Sequence, residues 1–222
     1  MRRRYKKDKT DQGHVGRPRH TSRNKEAIKW SEYEFLMSWL EKASGLRDGY
    51  ILRYQRAFTL LFLTGMRSSE LGLIEVDDIR HAIREGFYSL TNKTKTGKPR
   101  KVLLSDRGVG MLQKYFAVFL EDESIHAYNE KVFATPRDPN RRRALNMATM
   151  NTDMNDVLHA AFNSVLYSTH GFRSGVITEM AVDMKLPIKV VSQFIGHSSE
   201  ATTLKYVKVQ EQDISEAVNL AR

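Results

Sequence analysis

The stretch AFTLLFLTGMRSSEL, residues 57–71, joins the longest strongly apolar segment of the chain to a polar turn. The apolar part continues a helical pattern that begins near Tyr50, and Gly65 is typical of a residue at which a helix stops. Arg67 then stands at the start of a tight turn into the next short helix. Thr59 and Thr64 interrupt the apolar segment, which is too short to span a bilayer. The stretch therefore predicts a helix that ends beside an arginine.

The composition of the 222-residue chain narrows the class of protein. With 41% hydrophobic residues, the chain can bury one sizeable core or two small ones. A formal net charge of +10 implies a polyanionic partner. Nucleic acid is the default, although ribosomal and membrane-surface proteins share such a charge.

The absence of cysteine excludes disulfides and thiolate metal sites. The basic start, with no apolar segment, excludes a secretory signal, so we expect an intracellular protein, cytoplasmic or associated with the nucleoid, with no membrane partner.

The charge is concentrated at the start of the chain. Met1 to about Ala27 is rich in arginine and lysine and almost free of aliphatic residues. Such a segment cannot bury enough apolar surface to order itself, so we expect residues 1–27 to form a disordered basic tail. Helical periodicity takes over at Ile28, which predicts a folded domain over residues 28–222.

The folded part is predicted to be mainly α with a small antiparallel β-sheet. A first helix carries apolar residues at helical spacing, with Ser31 as a candidate N-cap: Trp30, Tyr33, Leu36, Met37 and Leu40. Strand patterns at Phe87–Thr91 and Lys101–Leu104 flank the turn sequence TGKP, residues 96–99, which predicts a hairpin. Helical patterns return at about Gly110–Leu120 and Thr149–Val165. Pro187 opens a helix that runs through Ile195 and closes at Gly196, and Ser199 is a candidate cap for a last helix carrying Tyr206.

Six polar residues form a chemically consistent set: Arg67, Lys95, His170, Arg173, His197 and Tyr206. Lys95 lies where the predicted hairpin begins to turn, His170 and Arg173 lie in HGFR, and Tyr206 follows His197 by nine residues. Two guanidiniums, two imidazoles, an ammonium and a phenol suit the breaking of a phosphodiester by attack of a tyrosine, without a metal ion.

Taken singly, each of these residues has an ordinary structural explanation. Arg67 and Glu70 have the spacing of an ion pair within a helix, and Lys95 is one of five basic residues between positions 93 and 101. His170 and Arg173 have the spacing of two residues on one helix face, and Tyr206 fits a half-buried surface position. Only their occurrence together, in one order, favours a shared chemical role.

In this order and spacing the chain resembles the tyrosine recombinase (phage integrase) family, over about Trp30 to Val209. The family carries its first arginine in a Thr-Gly-x-Arg-x-x-Glu-Leu box and a lysine on the following hairpin. His-x-x-Arg, Gly-His and a tyrosine nine residues later complete the pattern. Four positions depart from the usual residues, and none of them removes a reacting group: Leu103, Phe172, Ser174 and Ile195.

The resemblance implies the tyrosine recombinase catalytic-domain fold. It also implies a site-specific recombinase or integrase that cleaves and rejoins double-stranded DNA through a 3′-phosphotyrosyl link, without metal, cofactor or ATP. Arg67 and Arg173 would hold the nonbridging phosphate oxygens, His170 would take the phenol proton, and Lys95 would protonate the leaving 5′ oxygen. His197 would contact the phosphate and help to place the nucleophile, Tyr206. Family members act as tetramers that exchange C-terminal segments, a role for which residues 209–222 are a candidate, although they could equally pack on their own domain.

Several alternatives stay open at this level. Type IB topoisomerases and telomere resolvases share the reacting residues, and a DNA-binding accessory protein would share the fold. A metal nuclease would need carboxylates such as Asp77 with Asp78, residues 121–123, or Asp153 with Asp156, but none lies beside a recognisable motif. The short segment before Trp30 fits either a naturally minimal recombinase, similar in layout to the fimbrial-switch invertases, or the catalytic part of a longer protein. The initial Met1 favours the first.

Overall fold

A computed structural model describes residues 26–43, 45–90, 100–121 and 130–207. Within these ranges the elements follow in the order α1 Trp30–Lys42, α2 Asp48–Thr64, α3 Val76–Glu85, β1 Phe87–Leu90, β2 Arg100–Leu103, α4 Asp106–Leu120, α5 Met147–Phe162, α6 Thr169–Thr178, α7 Ile188–Ile195 and α8 Glu200–Leu204. A 3₁₀ helix, Ser68–Leu73, follows α2, and a π-helical turn, Glu179–Asp183, follows α6. The fold is mainly helical with a two-stranded antiparallel sheet, so the predicted fold class is confirmed. No helix in the described ranges has the length and apolar character needed to cross a membrane.

Helix α2 is the centre of the main core. It packs against α1, α4 and α6, and Phe58 and Leu61 on it are fully buried. The ring of Phe58 stacks on that of Phe172 from α6 at 5.4 Å between centroids. A smaller apolar cluster joins α6 to α7 through Val176, Ile177, Val191 and Ile195. The two clusters fix the ends of α2 and α7 relative to α6, and the candidate site lies at those ends.

The predicted hairpin is confirmed for its two strands. Phe87 pairs with Leu103 and Leu90 with Arg100 in an antiparallel register. Residues 91–99, with the predicted turn sequence, lie outside the described residues. Along β2 the side chains alternate between buried and exposed, which turns Arg100 and Val102 toward the protein interior.

The segment before α1 lies directly on α6. Glu26 N–H donates to the Leu166 carbonyl at 3.1 Å and Ile28 N–H to the Gly171 carbonyl at 2.9 Å. The close approach needs glycine on α6, because a Cβ on Gly175 would overlap the Ile28 carbonyl oxygen, well inside van der Waals contact, and would lie 2.8 Å from the carbonyl carbon. Of the predicted basic tail, only Glu26 and Ala27 fall within the described residues.

Substituting Gly175 is expected to destabilise the fold through this contact. In Gly175→Ala the new methyl group meets backbone that cannot rotate away, so the free energy of unfolding should fall by about 2 kcal/mol, as overpacking typically costs. Gly110→Ala is the matched control, since Gly110 also lies in a helix but a Cβ there meets nothing within 4 Å. The control should be neutral or stabilised by up to about 1 kcal/mol. Urea denaturation of both variants measures the difference, and equal stabilities would contradict the packing argument.

Several predicted boundaries were wrong. Ser31 does not cap α1, because the helix begins at Trp30 with Lys29 as its N-cap, and the Glu32 carboxylate accepts the Lys29 N–H at 3.0 Å. Helix α4 begins at Asp106 rather than near Gly110, since Ser105 Oγ accepts from Gly108 N–H at 3.2 Å.

The other boundary differences lie in α5 and α8. Helix α5 begins at Met147, two residues before Thr149, because Asn146 caps it. Ser199 occupies the N-cap position of α8 but makes no side-chain capping bond, and Tyr206 lies in the turn after that helix.

Candidate active site

Arg67 is held by the turn that follows α2. Gly65 ends this helix in the left-handed conformation, with φ of 57°, as the sequence predicted. Arg67 then caps the 3₁₀ helix: its N–H donates to Glu70 Oε2 at 2.8 Å and its Nη1 to Glu70 Oε1 at 3.0 Å. The Glu70 side chain is 5% exposed, whereas that of Arg67 is 31% exposed. Glu70 therefore holds the backbone and one guanidinium nitrogen of Arg67, while part of the guanidinium stays exposed to solvent.

Arg173 joins the ends of two helices. Its Nη1 donates to the Gly65 carbonyl at 2.7 Å and its Nη2 to the Ile195 carbonyl at 2.9 Å. The residue is 2% exposed. Burial lowers the pKa of Arg173 to about 10, and the charges of Arg67 and Arg100 add to the effect. The guanidinium still carries its charge at neutral pH.

Arg100, on β2, is a site residue that the sequence reasoning missed. Its Nη1 donates to the Ile195 carbonyl at 2.6 Å, and its Nη2 lies 3.6 Å from Glu70 Oε2. Burial lowers the pKa of Arg100, an effect that Glu70 opposes and Arg67 reinforces. The predicted strand began at Lys101 and left Arg100 out. Extending its alternation back by one residue would have placed Arg100 on the buried face with Val102, opposite the exposed Lys101.

Tyr206, in the turn after α8, is hydrogen-bonded to a histidine of α6. Tyr206 Oη lies 2.9 Å from His170 Nε2. The His197 ring stacks on the Tyr206 ring, with 5.8 Å between the ring centroids and 23° between the ring planes. His197 follows Gly196, which ends α7 in the left-handed conformation. The His197 Nδ1 lies 2.8 Å from Thr203 Oγ1.

Both imidazoles are neutral at neutral pH. Burial lowers the pKa of His197 to about 4, together with the charges of Arg173, Arg67 and Arg100. Desolvation by the surrounding protein also lowers the pKa of His170, although the residue stays partly open to solvent, and Arg173 and Arg67 lower it further. A neutral imidazole with an unprotonated Nε2 accepts the hydrogen bond of a phenol, so His170 can take the Tyr206 proton as the phenol attacks.

The structure brings five of the six predicted residues to the ends of α2, α6 and α7: Arg67, His170, Arg173, His197 and Tyr206. Lys95 lies outside the described residues, so its position stays a prediction. In the described part of this cluster, three guanidiniums surround one carboxylate, Glu70. Such an excess of fixed positive charge suits an anionic ligand such as a phosphodiester.

Two of the carboxylates considered for a metal nuclease have other environments, and residues 122 and 123 lie outside the described residues. Asp78 accepts the Glu75 N–H at the start of α3 at 2.9 Å, and Asp153 lies near Arg53 and Asp156. Over the described stretches, no three histidine, aspartate or glutamate side chains are arranged to hold a metal ion.

The chain is similar to known proteins over most of its length. Residues 27–213 match the model of the phage integrase family. The chain belongs to that family. A tyrosine recombinase of Thermosipho africanus is 31% identical over 173 residues, which cover 75% of this chain and 53% of the relative. The tyrosine recombinase XerD of Agrobacterium fabrum is 27% identical over 177 residues, covering 75% of this chain and 52% of the relative. The chain thus spans about half the length of these curated relatives.

Solved structures of the family share the fold. The crystal structure of XerA recombinase superposes with a TM-score of 0.65 at 20% identity, covering 95% of this chain and 67% of that one. The pre-cleavage complex of the XerH site-specific recombinase with its difH substrate gives a TM-score of 0.65 at 21% identity, covering 90% of this chain and 55% of that one.

Proposed function

We propose that this chain cleaves and rejoins double-stranded DNA as a site-specific recombinase, with Tyr206 as the nucleophile. The observation that carries the proposal is the 2.9 Å hydrogen bond between Tyr206 Oη and His170 Nε2 beside three guanidiniums. A phenol paired with a neutral base is ready for attack, and the guanidiniums suit a phosphate that gains charge. Family membership, with curated recombinases among the relatives, supports the same reaction.

In the proposed cleavage step, Tyr206 Oη attacks the phosphorus and its proton passes to His170 Nε2. The bond between phosphorus and the 5′ oxygen breaks, which leaves a 3′-phosphotyrosyl link. Arg67 and Arg173 hold the nonbridging oxygens, since each guanidinium keeps N–H groups beyond those it donates within the protein. Lys95 protonates the departing 5′ oxygen, a role that follows from the family pattern. A second 5′ hydroxyl then attacks the link and releases Tyr206, so the strands rejoin without ATP.

The wider assignment follows from the family and the charge of the chain. Residues 28–222 form the catalytic domain and residues 1–27 add a basic tail that reaches toward DNA phosphates. A homotetramer acts on two synapsed duplexes, and residues 209–222, outside the described part, pass to a neighbouring subunit. The protein works inside the cell, in the cytoplasm or on the nucleoid.

The reaction is expected to proceed in the presence of excess EDTA. Because arginines and Lys95 supply the positive charge that divalent ions supply in other nucleases, chelation should change the cleavage rate by no more than a few fold. The measurement uses nicked duplexes that tile the DNA around the gene, and it follows the covalent protein–DNA adduct on denaturing gels. Loss of the adduct in EDTA with recovery on adding magnesium would move the assignment to a metal nuclease.

A further inference from the structure

A pair of buried hydroxyl groups connects α7 to α8 beside His197. Ser192 Oγ, on α7, lies 2.6 Å from Thr203 Oγ1, on α8, and Thr203 Oγ1 lies 2.8 Å from His197 Nδ1. Ser192 is 4% exposed and Thr203 is fully buried. The backbone N–H of His197 also donates to the Ser192 carbonyl at 2.9 Å, which holds the His197 backbone at the end of α7, close to Ser192.

The number of hydrogens decides the direction of this chain of bonds. Each hydroxyl group has one hydrogen to donate. If Ser192 donates to Thr203 and Thr203 donates to His197 Nδ1, both hydrogens are used and the ring proton resides on Nε2. If the ring proton resides on Nδ1 instead, Nδ1 donates to Thr203 Oγ1, and the two hydroxyl hydrogens then share a single remaining contact, between Ser192 and Thr203. One of these two hydrogens therefore finds no acceptor within the described residues. A buried donor without a partner is disfavoured, so the first arrangement prevails.

We propose that Thr203 and Ser192 are positioning residues that hold His197 in the tautomer protonated at Nε2, so that the ring presents a hydrogen-bond donor to the active site. The role of that donor, binding a phosphate oxygen, rests on the proposed function. The tautomer itself does not.

The tautomer matters because the ring is neutral. Burial and the neighbouring arginines lower the pKa of His197 to about 4, so at neutral pH the imidazole has a single N–H. A ring protonated on Nδ1 would direct a lone pair, rather than an N–H, at an anionic oxygen. The Ser192–Thr203 hydroxyl pair disfavours that state, because it would leave one buried hydroxyl hydrogen without an acceptor.

The same residue links His197 to the nucleophile. Thr203 lies on α8, and its carbonyl accepts the Tyr206 N–H at 3.0 Å in the turn that carries the phenol. The packing of α8 on α7 thus positions Tyr206 and, through Thr203, also orients the hydrogen-bond donor of His197. Displacement of α8 would remove both.

The direct test is the protonation state of the His197 ring, read from long-range ¹H–¹⁵N NMR spectra of the full chain without DNA. At neutral pH the wild-type protein should show His197 protonated on Nε2. Thr203→Ser keeps the hydroxyl and should keep this spectrum, whereas the isosteric Thr203→Val removes it and should give a mixture of tautomers. Thr202→Val, on the neighbouring residue of the same helix, is the matched control and should resemble the wild type.

Covalent adduct formation supplies the second readout. Thr203→Val should cleave at least about tenfold more slowly, with Thr203→Ser and Thr202→Val close to the wild type. A wild-type ring protonated on Nδ1, or a Thr203→Val spectrum like that of the wild type, would overturn the inference. If Thr203→Val fails to fold, the wild-type spectrum alone decides it. An Nε2-protonated ring in a protein that forms no adduct would uphold the tautomer and refute the proposed function.

Discussion

Tyr206→Phe protein is expected to bind DNA as the wild type does and to form no covalent adduct with it. The substitution removes one oxygen atom and with it the nucleophile, so cleavage should fall by at least about 10⁴-fold. The phenol is only partly buried, and its hydrogen bond to His170 makes a modest contribution of about 1 kcal/mol or less to stability. Fold and affinity should therefore persist.

The measurement compares adducts on denaturing gels with affinities from gel shifts at one salt concentration. Tyr50→Phe is the control, because Tyr50 is a partly exposed tyrosine on α2 and lies outside the cluster. It should cleave at the wild-type rate. A denaturant-resistant adduct from Tyr206→Phe would show that another residue is the nucleophile.

Arg173→Lys is expected to lose activity although it keeps the positive charge. The guanidinium reaches the carbonyls of Gly65 and Ile195 with two separate nitrogens, and an ammonium cannot span both. The phosphate would also lose a forked donor, so cleavage should slow by about 10²–10³-fold. Arg100 still donates to the Ile195 carbonyl, so the stability effect is the loss of one hydrogen bond from a charged donor, which should lower the free energy of unfolding by about 1.5–3 kcal/mol.

Two measurements separate these effects. Urea denaturation gives the stability, and single-turnover cleavage well below the unfolding transition gives the chemical rate. Arg142→Lys, at an exposed position, is the matched control and should change neither quantity. Wild-type cleavage by Arg173→Lys would mean that charge alone suffices at this position.

Local features of the chain were predictable from the sequence. Helix α2, its end at Gly65, the position of Arg67 at the start of the following turn and the end of α7 at Gly196 all follow from periodicity and from glycine in the left-handed conformation. The two strands of the hairpin follow from alternation. The order of six reacting groups also indicated the chemistry and the family, because a motif is a property of the sequence itself.

The bounds of several helices, and one whole helix, could not be predicted from the sequence. Helix α3 was not predicted, and the helical spacing of His170 and Arg173 gave no bounds for α6. The starts of α4 and α5 depend on caps at Ser105 and Asn146, which lie outside the apolar periodic pattern used to place them. A cap is a hydrogen bond made by one side chain, and it moves the start of a helix without changing the spacing of the apolar residues along it.

Only the tertiary structure decided which groups meet. Arg173 binds the Gly65 carbonyl across 108 positions of sequence, and Arg100 binds the Ile195 carbonyl across 95. The sequence by itself determined most of the helices, the helix ends at Gly65 and Gly196 and the inventory of reacting groups, since these depend on neighbours within a few positions. The partners of the buried arginines, the lowered pKa of His197 and the buried hydroxyl pair beside it depend on how separate elements pack, because burial and charge act through space and not along the chain.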